Sequence, residues 1–341
     1  MKNTFRVAVI GCGAICGNHI KGILAANQSI CALCDVDPTQ SAQIIEKYEL
    51  EGIRTYTDYK EMLDAEKPDI VHICTPHYLH AEMCVEALGR NINVLCEKPL
   101  SISMEQLASV EAAAKKSSAK LGVCHQNRYE PNFLAAKSLA DSEGVLAAFG
   151  DVVWIRDAAY YASGSWRGSW EQEGGGVMIN QALHTLDLLQ WICGMPTHVL
   201  AHTANDHHKN AIEVEDLAAA RFECPDGTLI NFYATTAAGK SFPAHIRLRL
   251  NNKKTVHAEN DLLTVNGEIL REENRENGVG KSVWGNGHKA LIAHFYHCIE
   301  NSLPFPLDEK EGGKVVRLIL SMYASNGNRI EVFKNEICYH S

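Results

Sequence analysis

No stretch of this chain reaches the roughly 18 unbroken apolar residues that a membrane-spanning helix needs, so no membrane span is expected. A basic excess is missing too: 32 Lys and Arg stand against 41 Asp and Glu, a net −9. That balance gives nucleic acid and anionic lipid no general electrostatic hold. The short apolar run Val7-Ala8-Val9-Ile10 is cut by Gly11 where a signal-peptide core would continue, so a cytoplasmic location is expected. Internal repeats and low-complexity linkers are also missing. Twelve cysteines are present, but a paired metal framework is not. Cys31 and Cys34 form a CxxC inside an expected strand, where positions three apart face opposite sides, and no second pair completes a zinc site. Cys74 and Cys96 sit in apolar runs and read as reduced, buried thiols. His294 and His297 share a helical face, but two ligands without a third make no metal site. No metal is expected.

What is present is an ordinary globular composition, 46% apolar and 21% charged over 341 residues, long enough for two domains with separate cores. From residue 5 to 124 short β-branched runs alternate with amphipathic stretches. Strands are expected at 6–10, 30–34, 70–74, 93–96 and 120–124, and helices near 15–26, 39–48, 78–89 and 103–116. This is the pattern of a doubly wound parallel sheet, an α/β Rossmann domain, whose ligands lie beyond the carboxyl ends of the strands. After residue 125 longer alternating runs (150–155, 214–222, 229–235, 246–250) are separated by turns such as Pro225-Asp226-Gly227. They predict a large, mostly antiparallel, open sheet, with helices at 174–193, 287–300 and 309–325 covering one face. The expected division is 1–124 for the Rossmann domain and 125–341 for an α+β substrate and oligomerisation domain. His207-His208-Lys209-Asn210 reads as a solvated loop.

The first strand runs straight into Gly11-Cys12-Gly13-Ala14-Ile15-Cys16-Gly17, with Cys16 where a third glycine usually stands. A GxGxx pattern alone is weak, but here a strand precedes it, a helix follows, and Asp35 ends the next strand about twenty residues on. Gly11 allows the tight turn, Gly13 lets backbone approach a pyrophosphate, and Ala14 and Ile15 lead into a helix start that supplies N–H donors. Asp35 is placed to accept hydrogen bonds from the adenosine ribose, and its charge repels a 2′-phosphate. No Lys or Arg lies between it and Lys47. NAD is therefore expected, and NADP disfavoured.

Four groups of residues together resemble the Gfo/Idh/MocA family, named for glucose-fructose oxidoreductase, inositol 2-dehydrogenase and the rhizopine-catabolism protein. They are the glycine turn with His19 in its helix, Cys74-Thr75-Pro76 with His77 and His80, Cys96-Glu97-Lys98-Pro99, and Gly174-Gly175-Gly176 leading to His184 and Asp187. The resemblance covers nearly the whole chain, and Glu-Lys-Pro after a buried strand is its most specific part. It implies that Lys98 is catalytic, that Glu97 lies by the cofactor and that Thr75 and Pro76 run along the dinucleotide. It further implies sugar or cyclitol substrates and a homodimer or homotetramer. One departure matters: the family often carries Asp four residues before the catalytic His, and this chain has Asn180. Asn cannot accept a proton, although it can hydrogen-bond a substrate hydroxyl.

Oxidising a secondary alcohol moves a hydride to nicotinamide and releases a proton, so a group titrating near the working pH must touch the hydroxyl. His184 titrates near neutrality unperturbed, whereas Lys98 requires its pKa lowered. His184 is thus expected as base and Lys98 as the group polarising the oxygen. Asn180, His184 and Asp187 are spaced four and three apart, near one face of the expected helix. Arg128 and Tyr129, Trp166 and Arg167, and Trp284 supply aromatic faces and fixed donors suited to a sugar. Each of these has a plainer reading as an aromatic or cation packed at a loop. Two other functions share the same residues: an NAD-dependent glycosidase working through transient ring oxidation, and a non-catalytic NAD-sensing regulator. Intact Lys98 and His184 argue against the regulator.

Overall fold

The computed structural model describes residues 4–272 and 286–334, which divide between two compact units, 4–129 with 286–313 and 130–272 with 314–334. The first unit is built on six parallel strands, β1 (Arg6–Ile10), β2 (Ser29–Cys34), β3 (Arg54–Tyr56), β4 (Ile70–Ile73), β5 (Asn93–Cys96) and β6 (Leu121–Val123). Their order is β3-β2-β1-β4-β5-β6, so the chain reverses direction across the sheet between β1 and β4, where ligands of doubly wound sheets bind. The connecting helices are α1 (Cys16–Ala25), α2 (Pro38–Lys47), α3 (Tyr59–Glu66), α4 (His80–Gly89) and α5 (Met104–Lys116). Local chemistry starts several of them. Asp37 caps α2 by accepting from the Thr39 N–H at 3.0 Å, with Pro38 in the first turn. Ser103 caps α5 through the Gln106 N–H at 3.2 Å, and the Gln106 side chain reaches back to the Ile102 N–H at 3.0 Å, a reciprocal cap. β4 is buried at all four positions, as a central parallel strand must be.

The sequence division at 124/125 assigns the late helices to the second region, and the structure corrects this for one of them. Helix α10 (Gly287–Glu300) does not cover the second sheet; it belongs to the first unit. Its buried face, Leu291, Ile292, Phe295 and Tyr296, joins the same core as Val7, Val9, Leu33 and Leu95. The physical reason is a pair of glycines. A Cβ on Gly22 of α1 would press on the end of the Ile292 side chain, and one on Gly122 of β6 would lie 3.0 Å from the Phe295 ring, so glycine at both places lets α10 sit at this distance without its side chains shifting. The eleven cysteines among the described residues are free.

In the second unit α6 (Pro131–Glu143), β7 (Val145–Val153), α7 (Ala158–Ala162), α8 (Val177–Asn180) and α9 (Leu183–Cys193) precede the strands β8 (His198–Ala204), β9 (Leu217–Glu223), β10 (Leu229–Thr235), β11 (His245–Leu250), β12 (Thr255–Ala258), β13 (Leu262–Val265) and β14 (Glu268–Glu272). After α11 (Glu309–Ser325), β15 (Arg329–Glu331) completes a nine-stranded sheet ordered β14-β13-β12-β11-β7-β10-β9-β8-β15. It is mostly antiparallel, as its alternating runs imply, with one parallel pair, β7 and β10. Helix α9 packs on one face: Gly150 of β7 leaves room for Thr185 and Leu189, which a Cβ would meet at 2.8 and 2.9 Å. The expected single helix over 174–193 is broken. Residues Gly174–Gly176 form a turn, and α8 passes into α9 through Gln181 and Ala182, where the Ala182 N–H reaches the Val177 carbonyl five residues back at 2.8 Å.

Candidate active site

In the first unit the glycine turn sits at the carboxyl end of β1. Gly11 has φ +89°, a left-handed conformation open to glycine at little cost, and donates to the Cys34 carbonyl at 2.8 Å. A Cβ here would lie 2.6 Å from the Cys74 carbonyl carbon and 2.8 Å from the Thr75 nitrogen. The turns after β1 and β4 therefore touch only because residue 11 has no side chain. Gly13, by contrast, is exposed and has nothing within 4 Å of its missing side chain. That is the open backbone a pyrophosphate needs. Ala14 is exposed and Ile15 half-buried beside it, and no side chain caps the start of α1. Cys16 is fully buried, a small packing residue in the place of the third glycine.

Asp35 closes the site at the end of β2. Its Oδ2 accepts from the Cys12 N–H at 2.7 Å and its Oδ1 from the Asp37 N–H at 3.0 Å, so the carboxylate is fixed, half-buried, and still has lone pairs to offer. Val36 follows at 88% exposure, leaving no cation at the position where one would greet a 2′-phosphate. These residues fit a dinucleotide. When bound, NAD supplies the hydride acceptor.

Along the turn after β4, Thr75 and Pro76 are half-buried, and the Thr75 hydroxyl contacts Met83 Sδ at 3.5 Å. The His80 ring is completely buried between two carbonyls, with Nδ1 2.7 Å from Pro99 O and Nε2 2.8 Å from Thr75 O. It ties the Thr75-Pro76 turn to the turn that carries Lys98. Burial pushes its pKa below the usual histidine value despite both carbonyls. The His77 ring lies 6.0 Å from it.

Lys98, half-buried, follows β5 and is joined to Pro99 by a cis peptide bond. The Glu97 side chain is buried, and its Oε1 accepts from His19 Nε2 at 3.0 Å and from His288 Nε2 at 3.0 Å, while Oε2 accepts from the Lys98 N–H at 3.2 Å. Burial pushes the Glu97 carboxyl up, but the two imidazoles reverse this and hold it well below the usual carboxylate range. One ligand atom each of His19, Glu97 and Cys124 lie within 4.8 Å of one another, so these three could hold a metal ion. The Cys124 thiol is pushed well up by burial and by the Glu97 charge, and the hydrogen bonds already engage the other two.

Two residues expected near a substrate have structural partners in this unit. The buried Arg128 is paired with Glu311 at 2.9 Å, and the Tyr129 hydroxyl meets His294 Nδ1 at 2.7 Å. Trp284 lies outside the described residues.

In the second unit Gly174-Gly175-Gly176 wraps a buried carboxylate, Glu215. A Cβ on Gly175 would strike the Tyr323 hydroxyl and one on Gly176 the Glu215 carbonyl. Glu215 accepts from the Gly176 N–H at 2.9 Å, the Met178 N–H at 3.0 Å and the Tyr323 hydroxyl at 2.9 Å, which fixes the start of α8. Asn180 ends α8 and donates to Glu173 and, at 3.3 Å, to the Tyr160 hydroxyl. The same hydroxyl receives Arg167 at 2.7 Å and Gln181 at 3.0 Å. The Arg167 guanidinium stacks 4.5 Å from the rings of both Tyr160 and Trp166, and Arg156 covers Tyr160 at 4.7 Å. His184 is half-buried in the first turn of α9, and the buried Asp187 one turn on accepts from Gln190 at 3.3 Å. So Asn180, Trp166 and Arg167 gather around Tyr160, a residue no sequence motif singles out. Glu173 and Glu215 were equally silent, each being an isolated carboxylate in an unremarkable run.

A sheet whose order reverses beside an open glycine turn, with a fixed acid at the end of the second strand, defines an NAD-binding oxidoreductase. The chain belongs to the Gfo/Idh/MocA family. Residues 5–125 match the model described as an oxidoreductase family with an NAD-binding Rossmann fold, and residues 139–258 match the Gfo/Idh/MocA C-terminal domain. It is 24% identical to a D-glucoside 3-dehydrogenase of Escherichia coli, covering 97% of this chain and 98% of that protein. An inositol 2-dehydrogenase of Salmonella typhimurium is 23% identical over 55% of this chain and 54% of its own length. The WlbA dehydrogenase of Bordetella pertussis, solved with NADH and UDP-GlcNAcA, is 25% identical with TM-score 0.84, covering 97% of this chain and all of that one. A levoglucosan dehydrogenase solved with NADH shares the fold, with TM-score 0.86 at 18% identity and coverage of 97% and 100%. Among the described residues no helix is long and apolar enough to cross a membrane.

Proposed function

We propose that the protein oxidises a secondary hydroxyl of a sugar, sugar derivative or inositol with NAD, or runs the reverse ketone reduction. In oxidation His184 takes the hydroxyl proton while Lys98 polarises the oxygen; in reduction Lys98 polarises the ketone and His184 returns the proton. The observation that carries this is the turn Glu97-Lys98-Pro99 at the carboxyl end of β5. There His80 anchors Pro99 and Glu97 grips the Lys98 peptide, so the lysine is presented from a fixed backbone. Asn180 cannot act as a base; its amide already donates to Glu173 and Tyr160, and that polar cluster with Arg167 suits the hydroxyls of a sugar ring. Asp35 with Val36 favours NAD over NADP. The names of two relatives, a D-glucoside 3-dehydrogenase and an inositol 2-dehydrogenase, point to the same substrate class.

Incubation with NAD and a panel of methyl D-glucoside, D-glucuronate, levoglucosan and myo-inositol is expected to give NADH with at least one member. Silence across the panel in both directions would count against the assignment. A glycosidase that oxidises the ring transiently remains a second reading, favoured by the relative named for oxidising a glucoside at position 3. An aryl D-glucoside separates the two: aglycone released without net NADH indicates hydrolysis, and NADH without aglycone indicates the dehydrogenase.

A further inference from the structure

A line of four buried side chains ends on Glu97. The Tyr296 hydroxyl lies 2.8 Å from His72 Nε2, His72 Nδ1 lies 2.8 Å from His19 Nδ1, and His19 Nε2 lies 3.0 Å from Glu97 Oε1. His19 and His72 are completely inaccessible to solvent. Each link is in the first unit: α1 gives His19, β4 gives His72, and α10 gives both Tyr296 and, from the other side of the carboxylate, His288.

The donor sense of the line follows from chemistry. An ionised carboxylate only accepts, so His19 Nε2 carries a hydrogen. Burial keeps both imidazoles below their ordinary pKa, and keeps the Tyr296 proton in place. A neutral His19 with hydrogen on Nε2 must accept at Nδ1, so His72 donates from Nδ1 and accepts at Nε2 from the tyrosine. Every hydrogen bond then points the same way, from Tyr296 to Glu97, with no group left in the wrong tautomer. Oε2 is left to receive the Lys98 peptide N–H.

We propose that Glu97 is a positioning residue for Lys98, and that the neutral chain Tyr296–His72–His19, together with His288, fixes the orientation of its carboxylate. This rests on the reading of Lys98 as the group that polarises the reacting oxygen. A fixed anion at the neighbouring residue favours the ammonium form of Lys98, so the lysine stays a donor and the proton of oxidation is left to His184. The titratable and charged groups facing Glu97 are His19 from α1, His72 and Cys74 from β4 and the turn after it, His80 from α4, Cys96 and Lys98 on either side of it, Cys124 after β6, and His288 from α10, while Tyr296 reaches it through His72.

Two measurements test the proposal. Ring ¹⁵N resonances of the wild-type protein, which need no variant, are expected to show His19 neutral with hydrogen on Nε2 and His72 neutral with hydrogen on Nδ1 near pH 7. A doubly protonated His19, or hydrogen on His72 Nε2, overturns the chain. In the second, the panel sugar giving the fastest NADH formation is assayed against pH. Glu97→Gln is expected to lower kcat about 30-fold, leave KM for that sugar within about 2-fold, and move the alkaline limb down by about one pH unit. Tyr296→Phe, which removes only the outermost donor, is expected to lower kcat about 3-fold with the same KM. If Glu97→Gln keeps the wild-type kcat and pH profile while Lys98→Met is inactive, the positioning role is wrong and the role of Lys98 stands. If Lys98→Met is fully active, the underlying reading falls with it.

Discussion

Two glutamates, one in each unit, are almost equally buried and are driven in opposite directions. Glu97 is 5% exposed and held well below the usual carboxylate range; Glu215 is 3% exposed and pushed up to about 7 by burial. Both have at least three hydrogen-bond donors, so the number of donors does not decide the outcome. Their kind does. Around Glu215 the donors are two peptide N–H groups and a phenol, dipoles too weak to offset the loss of water. Around Glu97 two are imidazole N–H groups converging on one carboxylate oxygen, and they lower the carboxyl against its burial. The carboxylate beside Lys98, held low, is given histidines, and the one that ties down a glycine turn, pushed up, is given peptide groups.

Removing Lys98 beside Glu97 on one side, and Glu215 itself on the other, breaks the comparison most sharply. Lys98→Met is expected to lower kcat about 10³-fold while leaving the melting temperature near wild type, because the half-buried lysine serves chemistry. At the other pole, Glu215→Ala is expected to cost about 2–4 kcal/mol of stability, as it strands the Gly176 and Met178 N–H groups and the Tyr323 hydroxyl. Urea unfolding checks it, and a loss under 0.5 kcal/mol would deny Glu215 a structural role.

The pH dependence of stability separates the same pair. Glu215 has a folded pKa above its unfolded value, so its contribution is complete below about pH 4.5 and is lost as pH rises through about 7. The loss is on the order of 3–4 kcal/mol from a shift of that size. Glu97 has a depressed folded pKa, so its contribution is present above the unfolded value and is lost as pH falls through the folded one. Glu215→Gln should therefore flatten stability between about pH 5 and 7, and Glu97→Gln should flatten only the acid side. Urea midpoints across pH read both; the same slope in both variants would merge the two sites.

Asp35 sharpens the contrast at smaller scale. It too is held by peptide N–H groups, from Cys12 and Asp37, but it is only half-buried, so water still reaches it. Asp35→Ser is expected to raise KM for NAD about 10-fold and to narrow the preference over NADP. An unchanged NAD to NADP ratio would remove Asp35 from cofactor selection.

The sequence made the first sheet legible where strands are buried on both faces, because Val7 to Ile10 or Ile70 to Ile73 can only be core. It did not reveal β3 and α3, since Arg54–Tyr56 is a three-residue strand with no buried position. The return of α10 to the first unit was hidden for a different reason: it depends on Gly22 and Gly122, residues about 170 or more positions away from their contacts at Ile292 and Phe295, and amphipathicity does not say which core a helix joins. The cofactor turn was readable because its parts are local. The support of Lys98 was not, although His72 inside the apolar Ile70-Val71-His72-Ile73 was a visible signal: a polar group in a buried strand needs a partner. Tyr160 left no such trace, because its role arises only when Arg167, Asn180 and Gln181 converge on one hydroxyl.

Hydride transfer through Lys98 is tested most directly by following NADH absorbance for wild type and Lys98→Met side by side, with NAD and the sugar and inositol panel, while NADH binding is measured by fluorescence. The expected result is NADH from at least one compound with wild type, none above background with Lys98→Met, and equal NADH affinity for the two. Turnover by Lys98→Met at the wild-type rate would contradict it.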